Sequence, residues 1–452
     1  MYEIRTDILK DNMWKTMWRL SVPGVIGFFF YGLNNLLDGL FVGMFEGESA
    51  LAGITFAYPV VQLISGIGIL VGMGVANYLS LAIGKKDTQR IRQVFGNTVI
   101  LSLLSSGIVM FFGLLFSREI ILAMGGEGKA VDPGYDYLYA IFLGTPFNLV
   151  AIGLNLMLRG EGKMKLAMKL FGLSTLLNAL LTPVFIHYLN WGVTGAAWST
   201  NIAFAISCML HLWYFKKYRA TIYEVWKWTP NFRLMNKIII LGMPAALLNV
   251  LILFQHYFVI RNIIDIGSNK DIAFFGAINR ILMFALLPVY GMSRAFQPVI
   301  GITYGAGNKL LSKKAFRVFS ASGTATMLVL TAIVFIWGEP FIGFFIPDFH
   351  ITPTDMLRYY VLMSTLLLLP VMVLSMTFIQ AIGKSGTAAI LVIMRQLVVF
   401  IPVMYAFTSW FGLNGIYFSF LAVDVLLGLT GIFVILKFYL SQKQIQYQIQ
   451  SH

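Results

Sequence analysis

The chain has 452 residues, 58% of them hydrophobic and 12% charged, with a formal net charge of +14. Soluble proteins average about 45–50% apolar and about 25% charged residues, so the composition excludes a water-soluble fold and points to an all-α integral membrane protein. The positive charge alone would suit nucleic acid, but its placement argues against that partner and for the lipid bilayer.

The first residues, MYEIRTDILKDNMWKTMW, lack the short apolar core and small-residue cleavage site of a signal peptide. Ile4, Ile8, Trp14 and Trp18 recur at helical spacing and predict a short interfacial helix. About twelve apolar stretches follow, at 18–43, 51–83, 94–116, 136–158, 165–188, 192–215, 237–262, 272–302, 316–337, 357–381, 386–409 and 412–437. Each is near the ~20 residues that cross a hydrocarbon core of about 30 Å. Lipid offers the backbone no partner, so these runs are predicted to be helices. Lys and Arg gather in alternate connections: Lys10 and Lys15, Lys85 and Lys86, Lys163 and Lys165, Lys216 and Lys217, Lys309 and Lys313. The connections between them carry Glu46 and Glu48, Asp265 and Asp271, Glu339, Asp348 and Asp355, with mixed charge at 117–134. The positive-inside rule then places both termini in the cytoplasm of a multi-pass cell membrane protein.

The span pattern occurs twice. Pro23 is followed by Pro244 at the same separation that parts Gly84 from Gly305, and Gly162-Lys163 returns at that spacing as Gly383-Lys384. Gly192 and Gly195 return as Gly412 and Gly415 at almost the same spacing. The expected architecture is two pseudo-symmetric six-helix lobes, residues 1–215 and 237–452, joined by a cytoplasmic linker at 216–236. Repeats of this kind place a substrate path between the halves. No G-x-x-x-x-G-K-[ST] loop is present, so energy for transport is expected from an ion gradient. No nucleophile–base arrangement suggests an enzyme, and His187, His211 and His256 lack metal-ligand spacing.

Asp38 lies near the middle of the first span, with Asn34 and Asn35 on the same helix face. A carboxylate there costs about 2.5–3.5 kcal/mol on insertion scales, and such acids commonly bind or exchange a cation. The competing reading is an aspartate held by its asparagines to tie helices together. On the fifth span Ser174, Asn178 and Thr182 share a face, and Thr200 adds a hydroxyl on the sixth. These oxygens are hard ligands for sodium and would equally tune the proton affinity of Asp38. Such residues also act as glue between membrane helices.

The runs LDGLFVG, LRGEGK, LLNALLTPVFI and GVTGAAWST, with RAFQPVIGITYGAGN, FIQAIGK and MRQLVVFIPV in the second half, resemble multidrug and toxic compound extrusion (MATE) transporters. The likeness covers essentially the whole chain and is nearest the prokaryotic branch with a cation site in the N-terminal lobe. That resemblance implies an acid on the first helix, Asn and Asp four apart on the fifth, and Thr on the sixth. Asp38, Asn178 and Thr200 match, while Thr182 stands where the second acid is expected. One negative charge instead of two implies weaker sodium binding and brings proton coupling forward.

In the second half Val259 occupies the position that the repeat pairs with Asp38, so the acid is not duplicated. Where another branch of the family carries acids, this chain has Gln255 and His256, then Ser375 and Gln380. Arg280, Arg294, Arg395 and Asp424 remain as cavity or second-lobe candidates, against snorkelling or pairing with backbone carbonyls. The resemblance implies a monomeric exporter in a prokaryotic plasma (inner) membrane, exchanging H+ or Na+ for amphipathic, drug-like cations, with no cofactor beyond the coupling ion. The alternative is a flippase for a lipid-linked oligosaccharide or related anionic amphiphile, which would need Arg280 and Arg294 to face the cavity.

Overall fold

The structure, a computed structural model, describes residues 7–10, 12–223, 228–347 and 349–431, and the side chains of residues 7, 31, 34–36, 38, 39 and 219–223 lie outside that description. The first half forms α1 (Met13–Glu46), α2 (Glu48–Gly84), α3 (Thr88–Ala123), α4 (Val131–Gly160), α5 (Met164–Tyr188) and α6 (Gly192–Tyr223). The second forms α7 (Phe232–Ile266), α8 (Asn269–Gly305), α9 (Lys309–Ile336), α10 (Pro353–Leu367 and Leu369–Ala381), α11 (Ser385–Phe411) and α12 (Asn414–Gly431). Each predicted apolar stretch overlaps one of these helices, giving twelve spans in two six-helix lobes. The two segments of α10 meet at a 42° bend just before Pro370, whose ring removes a backbone donor and disturbs the preceding turn.

Polar side chains set where the helices begin. Asp87, Asn231 and Asn308 accept from the backbone N–H groups of Arg90, Leu234 and Leu311, three residues on. Ser268 with Asp271, and Thr352 with Asp355, form capping boxes at α8 and α10. The repeat recurs in the backbone. Gly162 and Gly383 have φ of 77° and 87°, and Gly192 and Gly412 have 55° and 58°. These left-handed turns carry a steric penalty for residues with a β-carbon, which explains why glycine occupies both copies.

The lobes meet along α2 with α7 and α8, and along α1 with α8. One apolar core continues across that boundary, with Val75 and Leu79 of α2 beside Ile238 of α7 and Val299 of α8. Glycines allow the close approach: a β-carbon on Gly84 would clash with the Ile302 carbonyl, and one on Gly242 with the Leu70 carbonyl. Buried polar bonds add specificity. Gln297 Nε2 donates to Asn77 Oδ1, and the Leu241 carbonyl, in the turn before Pro244, accepts from Asn77 Nδ2 and Gln380 Nε2 at 3.3 Å each. Gly84 and Gly305 adjoin Lys85, Lys86 and Lys309, so the lobes are shut together at the basic end of the molecule.

A short helix, Asp7–Lys10, precedes α1 and buries Ile8 against Gly162, while Trp14 and Trp18 stay exposed on α1. Ile4 lies outside the described residues. The stretch 216–236 expected as a linker carries helix at both ends, since α6 runs to Tyr223 and α7 starts at Phe232.

Candidate functional site

A cavity of about 460 Å³ lies chiefly within the first lobe. It runs from Leu51 near the start of α2 to Arg159 in the last turn of α4. Two helices present polar stripes to it. On α2 these are Thr55, Tyr58, Gln62 and Ser65, spaced i, i+3, i+7 and i+10; on α4 they are Asn148, Asn155 and Arg159, spaced i, i+7 and i+11. Phe28, Phe171, Phe204 and Met168 supply apolar and aromatic surface, and Arg294 enters from α8 of the other lobe. The volume and mixed lining suit an organic ligand.

On one wall α5 and α6 are joined by the predicted polar residues. Asn178 Nδ2 donates to Thr200 Oγ1 at 2.9 Å and to Ser199 Oγ at 3.3 Å. Asn178 and Thr200 both line the cavity. Thr182 is fully buried and set back from it, with its hydroxyl 2.7 Å from Ser199 Oγ and 2.8 Å from the Asn178 carbonyl. The oxygens at the cavity wall are therefore amide and hydroxyl groups, a donor set that accommodates a sodium ion only weakly without a carboxylate. Asp38 and Asn34 lie in α1, but their side chains are outside the described residues.

The basic end of the cavity holds Arg159, Asn155 and His211, which sequence reasoning missed, beside the expected candidate Arg294. Arg159 Nε donates to Asn155 Oδ1 at 2.9 Å. Asn155 Nδ2 lies 2.8 Å from the Ala167 carbonyl and 3.2 Å from His211 Nε2. His211 Nδ1 donates to the Ser207 carbonyl at 2.7 Å, which leaves Nε2 as an acceptor for Asn155 and fixes the amide with its oxygen toward Arg159. Arg294 Nη1 contacts Met73 Sδ at 2.8 Å. A thioether is a weak acceptor and does not neutralise that charge. Arg159 reads in sequence as part of a basic connection, because the apolar run fades before it. Its spacing from Asn148 and Asn155 was the signal that it belongs to a helix face.

The other candidates are placed elsewhere. Arg280 is exposed on α8 and Gln255 is buried in α7, and neither lines this cavity. Arg395 and Asp424 do not seek backbone carbonyls or headgroups; they form a two-pronged ion pair between α11 and α12, at 2.9 and 3.3 Å. Arg358, which the sequence did not single out, bonds Asp271 at 3.0 Å, Asp355 at 3.2 Å and Asn414 at 2.7 Å.

A MatE family model matches residues 23–184 and 238–406, most of both lobes. The chain belongs to the MatE family. Among its MatE relatives are proteins named Multidrug export protein MepA, from Staphylococcus aureus (strain MRSA252) and Staphylococcus haemolyticus (strain JCSC1435). Each is 27% identical over 427 residues, 94% of either chain. A structure of MATE in complex with MaD3S superposes with a TM-score of 0.90 at 25% identity, covering 96% of this chain and 98% of that one. A MOP superfamily transporter from Pyrococcus furiosus Vc1 (DSM3638) superposes with a TM-score of 0.87 at 25% identity, covering 94% and 95%. MatE proteins are transporters, so the chain is a multi-pass membrane transporter and not an enzyme.

Proposed function

We propose that this chain is a secondary active exporter that moves amphipathic organic compounds out of the cell in exchange for H+ or Na+. The observation that carries the reading is the cavity itself: aromatic and apolar walls interrupted by polar stripes, ending where the two lobes shut at the basic end. With that end in the cytoplasm by the positive-inside rule, the described state is the outward-facing one. Rocking the lobes about α2 and α8 would open the cavity to the other side. The relatives named as multidrug export proteins support export, and breadth of substrate suits a cavity lined by Phe and Met.

Coupling is assigned to Asp38 with Asn178 and Thr200. A cation bound there and a substrate bound in the cavity would favour opposite states of the lobes. Purified protein in liposomes, given a proton or a sodium gradient in turn against a panel of amphiphilic dyes, tests the reading. Gradient-driven movement of at least one dye is expected. Dyes that stay put under both gradients would overturn it.

One observation favours the second reading, a flippase for an anionic amphiphile: Arg294 reaches the cavity. The Pyrococcus furiosus neighbour is described by its reverse polarity of binding pocket, suggesting a different function, so this scaffold carries pockets of more than one polarity. Including a lipid-linked sugar in the liposome panel separates the two readings.

A further inference from the structure

The cavity has an uneven distribution of charge. Among its described lining residues are two arginines, Arg159 and Arg294, and no carboxylate. They come from different lobes, both line the cavity, and they lie within electrostatic reach of each other. Neither has a carboxylate partner among the described residues. The ion pairs found elsewhere in the spans show that this chain pairs its buried charges where it can: Arg395 has Asp424, and Arg358 has Asp271 and Asp355.

Arg159 is also held in place from behind. Its Nε is committed to Asn155, and Asn155 is fixed in turn by His211 and the Ala167 carbonyl. That leaves the outer nitrogens of the guanidinium for the cavity. Among the described residues the hydrogen-bond contact of Arg294 is to a thioether, a weak acceptor, so most of its fork is similarly unspent. Two positive groups within a membrane protein repel each other and lose solvation; a negative group between them relieves both costs. The planar fork of each suits carboxylate, sulfonate or phosphate oxygens.

We infer that Arg159 and Arg294 form an anion-binding pole, so that the cavity takes amphiphiles carrying one acidic group, head toward the two arginines and apolar body against Phe28, Phe171 and Phe204. The inference rests on the export reading and names the charge of its substrates. It departs from the drug-like cations that the family resemblance implies. The pole also spans the lobe contact, with Arg159 on α4 and Arg294 on α8, so its affinity for the acid changes as the lobes move. Asn155 is a positioning residue that aims Arg159.

The test is equilibrium binding, with no gradient, to purified protein in a nonionic detergent. Two probes share one aromatic body, 4-(1-pyrenyl)butanoate and its trimethylammonium counterpart. The carboxylate is expected to bind at least about tenfold more tightly than the ammonium. Arg159→Gln and Arg294→Gln should each weaken the carboxylate about tenfold or more, the scale of a lost charge-assisted hydrogen bond, and leave the ammonium unchanged or tighter. Arg159→Lys and Arg294→Lys retain charge and should recover part of the affinity, which keeps the test open if a glutamine variant misfolds. Asn155→Ala should weaken the carboxylate and leave the ammonium unaffected.

Phosphatidylglycerol added to the detergent identifies the source of the acid. Displacement of the probe assigns the pole to a lipid headgroup, and no displacement assigns it to a free organic anion; both support the pole. An ammonium probe that binds as tightly as the carboxylate would overturn it. So would glutamine variants of normal thermal stability that bind the carboxylate as the parent does. Carboxylate binding without transport under any gradient would instead count against the export reading and leave the pole standing.

Discussion

Gly84 and Gly305, equivalent positions of the two repeats, lie against each other where α2 and α8 cross. A β-carbon on Gly305 would sit 3.2 Å from the Gly84 Cα and 2.5 Å from the Leu81 carbonyl oxygen, and one on Gly84 would lie 2.8 Å from the Gly305 Cα. The contact is reciprocal, as expected for equivalent positions on a pseudo-twofold axis. Ser80 and Gly301, a second equivalent pair, touch one turn earlier. Small residues in both repeats thus form the crossing about which the lobes would rock.

Gly305→Val should therefore hold the basic end open. The neighbours are backbone atoms, which yield less easily than the tip of a side chain, and overpacking of this kind costs about 1–3 kcal/mol. Each 1.4 kcal/mol is a factor of about ten in population. In a Cys208→Ser, Ser80→Cys background, maleimide should label the cysteine about five- to a hundredfold faster in the valine variant. Unchanged labelling in a variant of normal thermal stability would show that this crossing does not control closure.

The repeat made the architecture legible from sequence, because a glycine at a left-handed turn or a close crossing cannot be exchanged freely. Gly162, Gly383, Gly192 and Gly412 were visible for that reason. The α5–α6 wall was also legible, since Asn178 and Thr200 are polar islands in apolar helices. What escaped were partnerships between distant residues. Nothing near Arg395 in the chain announces Asp424, and nothing near Arg358 announces Asp271 and Asn414. Arg159 was missed for a different reason: a charged residue in the last turn of a helix looks the same in sequence as one in a loop. Thr182 was legible as a polar neighbour of Asn178, yet its contact with Ser199 sets it behind the wall.

Asp38→Asn should abolish gradient-driven transport in liposomes and leave equilibrium binding of the pyrene probes in place. The substitution keeps the side chain's size, removes its charge and its exchangeable acid proton, and turns one acceptor oxygen into a donor. Asn178→Ala should lower transport as well, since it removes the bonds to Thr200 and Ser199. Interhelical hydrogen bonds in membranes are worth only about 0.6–1.7 kcal/mol, so its melting temperature should change little. Full activity in Asp38→Asn would move the coupling site elsewhere.

Arg358 ties together the starts of three helices of the second lobe: Asp271 on α8, Asp355 on α10 and Asn414 on α12. Each carboxylate also closes a capping box, so the two acids are held near each other around one guanidinium. Arg358→Gln removes the charge that they share. Losing one partner of a buried pair costs about 3–5 kcal/mol, reduced to about 2–3 kcal/mol where water still reaches the group. Thermal unfolding followed by tryptophan fluorescence should shift down by several degrees, and Asp355→Asn in the same background should restore part of the loss. An unshifted melting curve for Arg358→Gln would reduce this cluster to a surface ornament.

Arg395 and Asp424 pose the sharper question, because an intramembrane acid is either a coupling site or one half of a tie. With two contacts, at 2.9 and 3.3 Å, and Asp424 only 4% exposed, the geometry is that of a tie. Asp424→Asn should then destabilise the fold by about 3–5 kcal/mol, since it strands a buried guanidinium. The double replacement Arg395→Met with Asp424→Leu removes both charges at similar volume, and such exchanges are often neutral or stabilising. A tie predicts that the double variant folds normally and keeps gradient-driven transport in liposomes. If it folds normally and still loses coupling, Asp424 exchanges the proton, and the second lobe takes part in the chemistry that the broken symmetry assigns to Asp38.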